Sequence, residues 1–307
     1  MIIVNIDDMR IVGGMNIKSI SFDVDDIPVE VDFEENIKNI LKCLKERLVM
    51  IYNEDCFDTM KRLHNQIDIV LTSPPYNTSK KIHTKKAFDN YDCRYDEFSD
   101  FRTSQEYIDW TIKLFNEYDK ILKENGIVLY NLSYASNCTS GNKDSVGLTW
   151  LVIADIIRNT NFTVADCIAW KKKNALPNNV SPNKCTRIVE YVFVFCRKSE
   201  YRTFHANKTV KSISKSGQKF YDVMYNYIEA ANNDGANKLN KATFSTELVL
   251  KLLNMYANKD SVVYDSFVGT GTTAVACKQF GCKCIGSELS KEQVEYARSR
   301  LNSVTNG

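Results

Sequence analysis

Apolar and polar positions change rhythm along the chain, and the rhythm marks out alternating elements. Residues 67–71 form a nearly unbroken apolar run, as expected of a strand buried on both faces of a parallel sheet. Residues 48–53 read the same way and lead into an amphipathic helix that reaches Leu63. Over residues 104–122 the period lengthens to that of a helix. Tyr107, Ile108, Trp110, Leu114, Phe115 and Tyr118 share a face, and Asn125-Gly126 is the expected stop. Strands are predicted over 126–131, 164–170, 187–195, 261–265 and 284–288, and helices over 150–159, 239–256 and 273–280. Strands alternating with helices predict an α/β fold around a parallel sheet.

Three stretches fall outside this rhythm. Residues 1–47 carry two short alternating runs, 17–22 and 29–33, and then Ile37, Ile40, Leu41 and Leu44 at helical spacing, which suggests a small appendage. Residues 78–100 are polar, with Lys80, Lys81, Lys85 and Lys86. So long a connection in a compact domain is expected to act, here as a lid over substrate. In residues 198–240 Lys208, Lys211, Lys215 and Lys219 are interleaved with Phe204, Phe220, Tyr221, Tyr225 and Tyr227. Basic and aromatic side chains together suit phosphate contact and base stacking. The expected organisation is an appendage (1–47), one domain in two parts (48–197 and 241–307), and an inserted recognition segment (198–240).

Composition narrows the picture. A chain of 307 residues accommodates one large α/β domain with an inserted lobe. A net charge of +2 confines any nucleic-acid contact to local patches. The ten cysteines are expected to be reduced thiols, because the amino-terminal residues do not read as an export signal. Cys282-Lys283-Cys284 has the wrong spacing for zinc, so no metal is expected. No apolar run approaches the roughly 20 residues of a membrane span. The expectation is a soluble cytoplasmic protein with no membrane partner.

The candidate chemistry sits in two places. The strand 67–71 stops on Ser73-Pro74-Pro75-Tyr76-Asn77. Proline cannot donate to a strand ladder, so the chain must leave the sheet in a stiff, extended turn. That turn lies at a strand's carboxyl end, where open α/β sheets bind ligands. The second place is Asp265-Ser266-Phe267-Val268-Gly269-Thr270-Gly271-Thr272-Thr273, a glycine turn between strand and helix. Glycine there lets the backbone approach a ligand. The next strand ends on Glu288, suited to accept hydrogen bonds from ribose hydroxyls. Gly269-x-Gly271-x-x-Ala274 also fits a dinucleotide fingerprint, so a nicotinamide-dependent oxidoreductase is an alternative class.

Ser73-Pro74-Pro75-Tyr76 resembles the (Asp/Asn/Ser)-Pro-Pro-(Tyr/Phe/Trp) motif of S-adenosylmethionine-dependent amino methyltransferases. The Asp265 turn resembles their cofactor motif. The order Trp170-Lys171, Asn174, Pro177, Arg187, Glu190-Tyr191 resembles a hairpin beside their target-base pocket. With the Pro-Pro motif first, the recognition segment next and the cofactor motif last, the chain resembles the beta group of DNA amino methyltransferases over residues 48–303. The resemblance implies a mostly parallel seven-stranded Rossmann-like sheet with one antiparallel strand, helices on both faces and a small recognition lobe. It implies catalytic roles for Ser73, Pro74, Pro75, Tyr76 and Asn77. It implies cofactor contacts from Asp55, Phe244, Asp265, Phe267, Gly269, Gly271, Thr272 and Glu288. Lys171 and the four lysines of the inserted segment are the expected DNA contacts.

The expected cofactor is S-adenosylmethionine and the expected partner is double-stranded DNA, with a cognate restriction endonuclease as a further partner of a monomer or homodimer. Where family members carry a His-Pro-like segment, this chain has Lys241-Ala242-Thr243-Phe244-Ser245, of which Phe244 fits. Ser73 leans toward cytosine-N4 as the methylated group and Asn77 toward adenine-N6, which is the expectation. Cytosine carbon-5 chemistry needs a cysteine nucleophile, and the chain has no Pro-Cys dipeptide. A methyltransferase-like protein that only binds nucleic acid is the remaining alternative, as is the same chemistry on RNA or a protein glutamine.

Overall fold

The computed structural model describes the backbone of residues 19–24 and 27–32, and residues 49–77, 102–133, 147–175, 182, 185–235 and 243–304. The expected lid (78–100), the helix over 35–48 and the segment around Pro177 lie outside the described residues. The chain divides into two compact units, Met1–Arg47 and Leu48–Gly307. In the first, β1 (Ser19–Val24) pairs antiparallel with β2 (Ile27–Asp32).

The second unit runs β3 (Val49–Tyr52), α1 (Cys56–Met60), β4 (Ile67–Thr72), α2 (Ser104–Ile121), β5 (Leu122–Leu132), α3 (Leu148–Asn159), β6 (Phe162–Lys172), β7 (Val189–Arg197), β8 (Val210–Ile213), β9 (Lys219–Tyr221), β10 (Tyr227–Ala230), α4 (Thr246–Tyr256), β11 (Val262–Asp265), α5 (Thr272–Phe280), β12 (Lys283–Ser287) and α6 (Lys291–Ser303). Its main sheet has the order β10-β6-β7-β5-β4-β11-β12-β3. Every neighbouring pair is parallel except the two that involve β7. The expected seven strands with one antiparallel member are present, and β10 adds an eighth at the edge beside β6. Only Ile228 and Ala230 of β10 are buried, so the short run carried too little apolar signal to be read as a strand.

Alternation along the central strands sends side chains into two cores. Ile69, Leu71, Ile127 and Leu129 join α4, α5 and α6 on one face. Val70, Val128 and Tyr130 join α1, α2 and α3 on the other. α2 starts on a capping box, in which Thr103 and Glu106 each accept a hydrogen bond from the other's backbone N–H. Phe115 then locks it to the sheet, edge-on to Tyr130, Phe162 and Phe195 at 5.2, 5.5 and 5.0 Å between centroids. Several predicted boundaries shift by a few residues, α1 for example ending at Met60 rather than Leu63, and two shifts have a clear cause. α2 ends at Ile121 and passes directly into β5, because Leu122 is fully buried in pairing with Ile67. α4 starts at Thr246 rather than 239, because the Ser245 hydroxyl caps it by accepting from the Leu248 N–H.

Candidate active site

Four parallel strands, β3, β4, β11 and β12, end at the same edge of the sheet, so the loops that follow them converge. Together they border an open cleft of about 920 Å³, solvent at its mouth included. Glu54 to Phe57 contribute after β3, Ser73 and Pro75 after β4, Ser266 to Gly269 after β11, and Glu288 to Ser290 after β12. Trp110 of α2 and Phe244 before α4 close the sides.

The Pro-Pro loop is fixed at both ends. At its start the Thr72 hydroxyl donates to Asp265 Oδ1 at 2.7 Å, tying the two motifs together across 193 residues of sequence. Tyr107 of α2 donates its hydroxyl to the Pro75 carbonyl at 2.7 Å. At the far end Asn77 takes a left-handed φ of 53°. Its side chain accepts from the Arg102 N–H at 2.7 Å and donates to the Arg102 carbonyl at 2.8 Å. Between these anchors Ser73 Oγ lies 3.0 Å from the Tyr76 hydroxyl. That hydroxyl also meets Asn131 Nδ2 at 2.7 Å and Glu190 Oε2 at 3.3 Å.

The glycine turn is built differently from its sequence reading. Asp265 is 1% exposed, and burial pushes its carboxyl up from the ordinary value. Its oxygens accept from Thr273 Oγ1 at 2.6 Å, Thr72 Oγ1 and the Phe267 N–H at 3.0 Å. Asp265 therefore shapes the turn, with its bonds directed into the protein. Gly271 has φ 86°, and a Cβ there would lie 2.7 Å from Ala297 Cβ. Its glycine is required by the close approach of α6, and Gly271 does not line the cleft. Gly269 does: its N–H donates to Glu288 Oε2 at 3.0 Å, while Oε1 accepts from the Ser290 N–H at 2.9 Å.

Of the expected residues, Ser73, Pro75, Asp55, Phe244, Phe267, Gly269, Thr272 and Glu288 border one cleft. Asp265 borders it with its carboxylate turned to internal donors. Asp55 also caps α1, accepting from the Phe57 N–H at 2.8 Å. Pro74, Tyr76 and Asn77 stand behind the rim, and Asn77 serves as the loop's clamp because both ends of its amide are taken by Arg102. Lys171 lies apart at the β6–β10 edge, paired with Glu229 at 3.2 Å. Lys208, Lys211, Lys215 and Lys219 are on and beside the β8–β9 hairpin, with no ion pair among the described residues.

Glu54 and Trp110 carry no signal by which sequence reasoning could single them out. Trp110 reads as one more apolar position of α2, and only the fold brings its ring within 5.7 Å of Phe267. Glu54 reads as a turn residue; its carboxyl is held below the ordinary value by the hydrogen bond from Arg62 and by that from Thr59. Among the described residues, no lysine or arginine lines the cleft, whereas Glu54, Asp55 and Glu288 do. A negative, partly aromatic cleft fits a cationic sulfonium cofactor carrying a flat ring.

A mostly parallel sheet, an acid-lined cleft at its carboxyl edge and a Pro-Pro loop on the same rim define an S-adenosylmethionine-dependent methyltransferase of the amino-group type. The DNA methylase family of N6 and N4 enzymes matches residues 67–299, and the chain belongs to it. It is therefore an S-adenosylmethionine-dependent DNA amino methyltransferase. It is 24% identical over 280 residues to the type II methyltransferase M.HinfI of Haemophilus influenzae, covering 88% of this chain and 71% of that one. It is 26% identical over 273 residues to M.MthZI of Methanothermobacter thermautotrophicus, covering 83% and 76%. The fold is similar to that of the PvuII DNA methyltransferase, described as cytosine-N4-specific, with a TM-score of 0.62, 18% identity and coverage of 85% and 91%. It is also similar to the M1.HpyAVI–SAM complex, with a TM-score of 0.55, 21% identity and coverage of 83% and 99%. Among the described residues no helix is long and apolar enough to cross a membrane.

Proposed function

We propose that the chain methylates the N6 amino group of adenine within a particular double-stranded DNA sequence. The observation that carries the site assignment is that Ser73 and Pro75 border the same cleft as Gly269 and Glu288. The cofactor, when bound, supplies an electrophilic methyl group on a positively charged sulfur. Glu288 accepts hydrogen bonds from the ribose hydroxyls, its carboxylate already oriented by the Gly269 and Ser290 N–H groups. Phe267, Phe244 and Trp110 hold the flat ring, and Asp55 lies toward the positively charged end.

An exocyclic amine is a poor nucleophile, because its lone pair is delocalised into the base. In this reading the base is turned out of the duplex and rests on Tyr76. Ser73 Oγ and the Pro74 carbonyl accept the two amino hydrogens, which localises the lone pair on the side facing the cofactor. Most of the acceleration then comes from holding two reactants in line. The exposed β8–β9 hairpin, with Lys211, Lys215 and Lys219, contacts the DNA; a two-stranded ribbon matches the width of the major groove. The names of the type II relatives support a cognate restriction endonuclease as functional partner.

Adenine rests on the Pro75-Tyr76-Asn77 sequence. Ser73 at the head of the motif supports a second reading, cytosine-N4. The test is methyl transfer from labelled S-adenosylmethionine to mixed-sequence duplex DNA, followed by nucleoside mass spectrometry. N6-methyladenine is expected. N4-methylcytosine would establish the second reading, and RNA or protein becomes the substrate if cofactor binds but no labelled DNA nucleoside forms.

A further inference from the structure

Behind the Pro-Pro loop, Lys172, Glu190 and Asn131 form a polar group that the chemistry above does not use. Lys172 of β6 donates to Glu190 Oε1 of β7 at 2.5 Å, and the two side chains are 17% and 13% exposed. Glu190 Oε2 accepts from the Tyr76 hydroxyl and, at 3.3 Å, from Asn131 Nδ2. Tyr76 in turn meets Ser73 and Asn131. Side chains from the ends of β4, β5, β6 and β7 thus converge around one phenol oxygen.

The direction of each hydrogen bond follows from Glu190. An ionised carboxylate only accepts. It therefore takes the single proton of the Tyr76 hydroxyl, and it fixes the Asn131 amide with its nitrogen facing the carboxylate. The Tyr76 oxygen can then only accept, from Asn131 and from Ser73. Ser73 must spend its own proton on Tyr76, so its oxygen, which Asn131 Nδ2 also approaches at 3.4 Å, is left to act only as an acceptor. We infer that the Lys172–Glu190 pair is a positioning device that sets Ser73 as an acceptor, and so selects a base edge that presents an amino group over one that presents a carbonyl. The inference rests on the proposed role of Ser73. It adds that the polarity of Ser73 is imposed from Glu190, through the Tyr76 hydroxyl.

The decisive variant is Glu190→Gln, which keeps size and shape. Lys172 would hold the glutamine oxygen, as it holds Oε1 now, so the amide nitrogen would turn to Tyr76. Tyr76 would become an acceptor from residue 190 and a donor to Ser73, and the freed Ser73 proton would let that hydroxyl donate, so it would no longer be held as an acceptor. Single-turnover methyl transfer should fall about ten-fold or more, with S-adenosylmethionine affinity by calorimetry unchanged. Tyr76→Phe, which keeps the ring and removes the relay, should fall similarly and decides the matter if Glu190→Gln does not fold. Rates within about two-fold of wild type in both variants, or loss of cofactor affinity in step with rate, would overturn the inference. If the wild-type enzyme itself yields no methylated nucleoside, the failure belongs to the proposed function instead.

Discussion

Glu288 sits where β12 hands over to α6, and its two oxygens are already engaged by the N–H groups of Gly269 and Ser290. These bonds stiffen the carboxylate before a ligand arrives, so little entropy remains to be lost when hydroxyls bind. Removing it takes away charge-assisted hydrogen bonds worth about 1.5–3 kcal/mol each. Glu288→Ala should therefore weaken S-adenosylmethionine binding at least roughly ten- to a hundred-fold by calorimetry, the cost of losing even one of these bonds. Unchanged affinity would move the ribose elsewhere. Gly271 carries the opposite lesson. Its residue type looks like ligand chemistry, yet the constraint comes from Ala297 of a neighbouring helix.

At the scale of elements, Glu247 in the first turn of α4 joins three pieces of the main sheet's edge. It accepts from Lys173 after β6 at 2.6 Å, from Lys251 of its own helix at 2.9 Å, and from the Ala231 N–H after β10 at 3.0 Å. These bonds, that from Lys173 first, hold its carboxyl at about 2 against an ordinary 4.5. A depressed folded-state value means the group stabilises the fold fully above the ordinary value and loses that contribution as pH falls toward 2. Glu247→Gln should lower the melting temperature at neutral pH, and the gap from wild type should shrink steadily between pH 4.5 and 2. The side chain is one-third exposed, so the gap will be modest. A gap independent of pH would assign the effect to packing.

For the whole molecule, the distribution of charge matters more than its net value of +2. The cleft is lined by acids and suits a cation, whereas the β8–β9 hairpin presents lysines with exposed Ile213, Phe220 and Tyr221. In the proposed reading, small cofactor and polyanion thus have separate addresses. The double variant Lys211→Glu/Lys215→Glu should weaken DNA binding and reduce the salt slope by about 1.8, or about 0.9 for each phosphate no longer neutralised. S-adenosylmethionine affinity should not change. An unaltered slope in a filter-binding titration would place the DNA surface elsewhere.

Seven of the main sheet's eight strands and the two motifs at their ends were legible in the chain alone, because both are local. Burial on two faces demands the apolar runs of β4, β5, β7 and β11, and proline or glycine must follow wherever the chain leaves the sheet sharply. Ser73, Pro75, Gly269 and Glu288 could be picked out for that reason. The remaining features depend on neighbours distant in the chain and emerge only on folding. Nothing local tells that the Asp265 carboxylate is consumed by Thr72 and Thr273, that Asn77 clamps Arg102, or that Trp110 meets Phe267 at the edge of the core. Nor does it tell that Lys172, Glu190 and Asn131 stand behind Tyr76. A polar side chain's role is set by which donor or acceptor reaches it first, and that is fixed only when parallel strands bring their ends together.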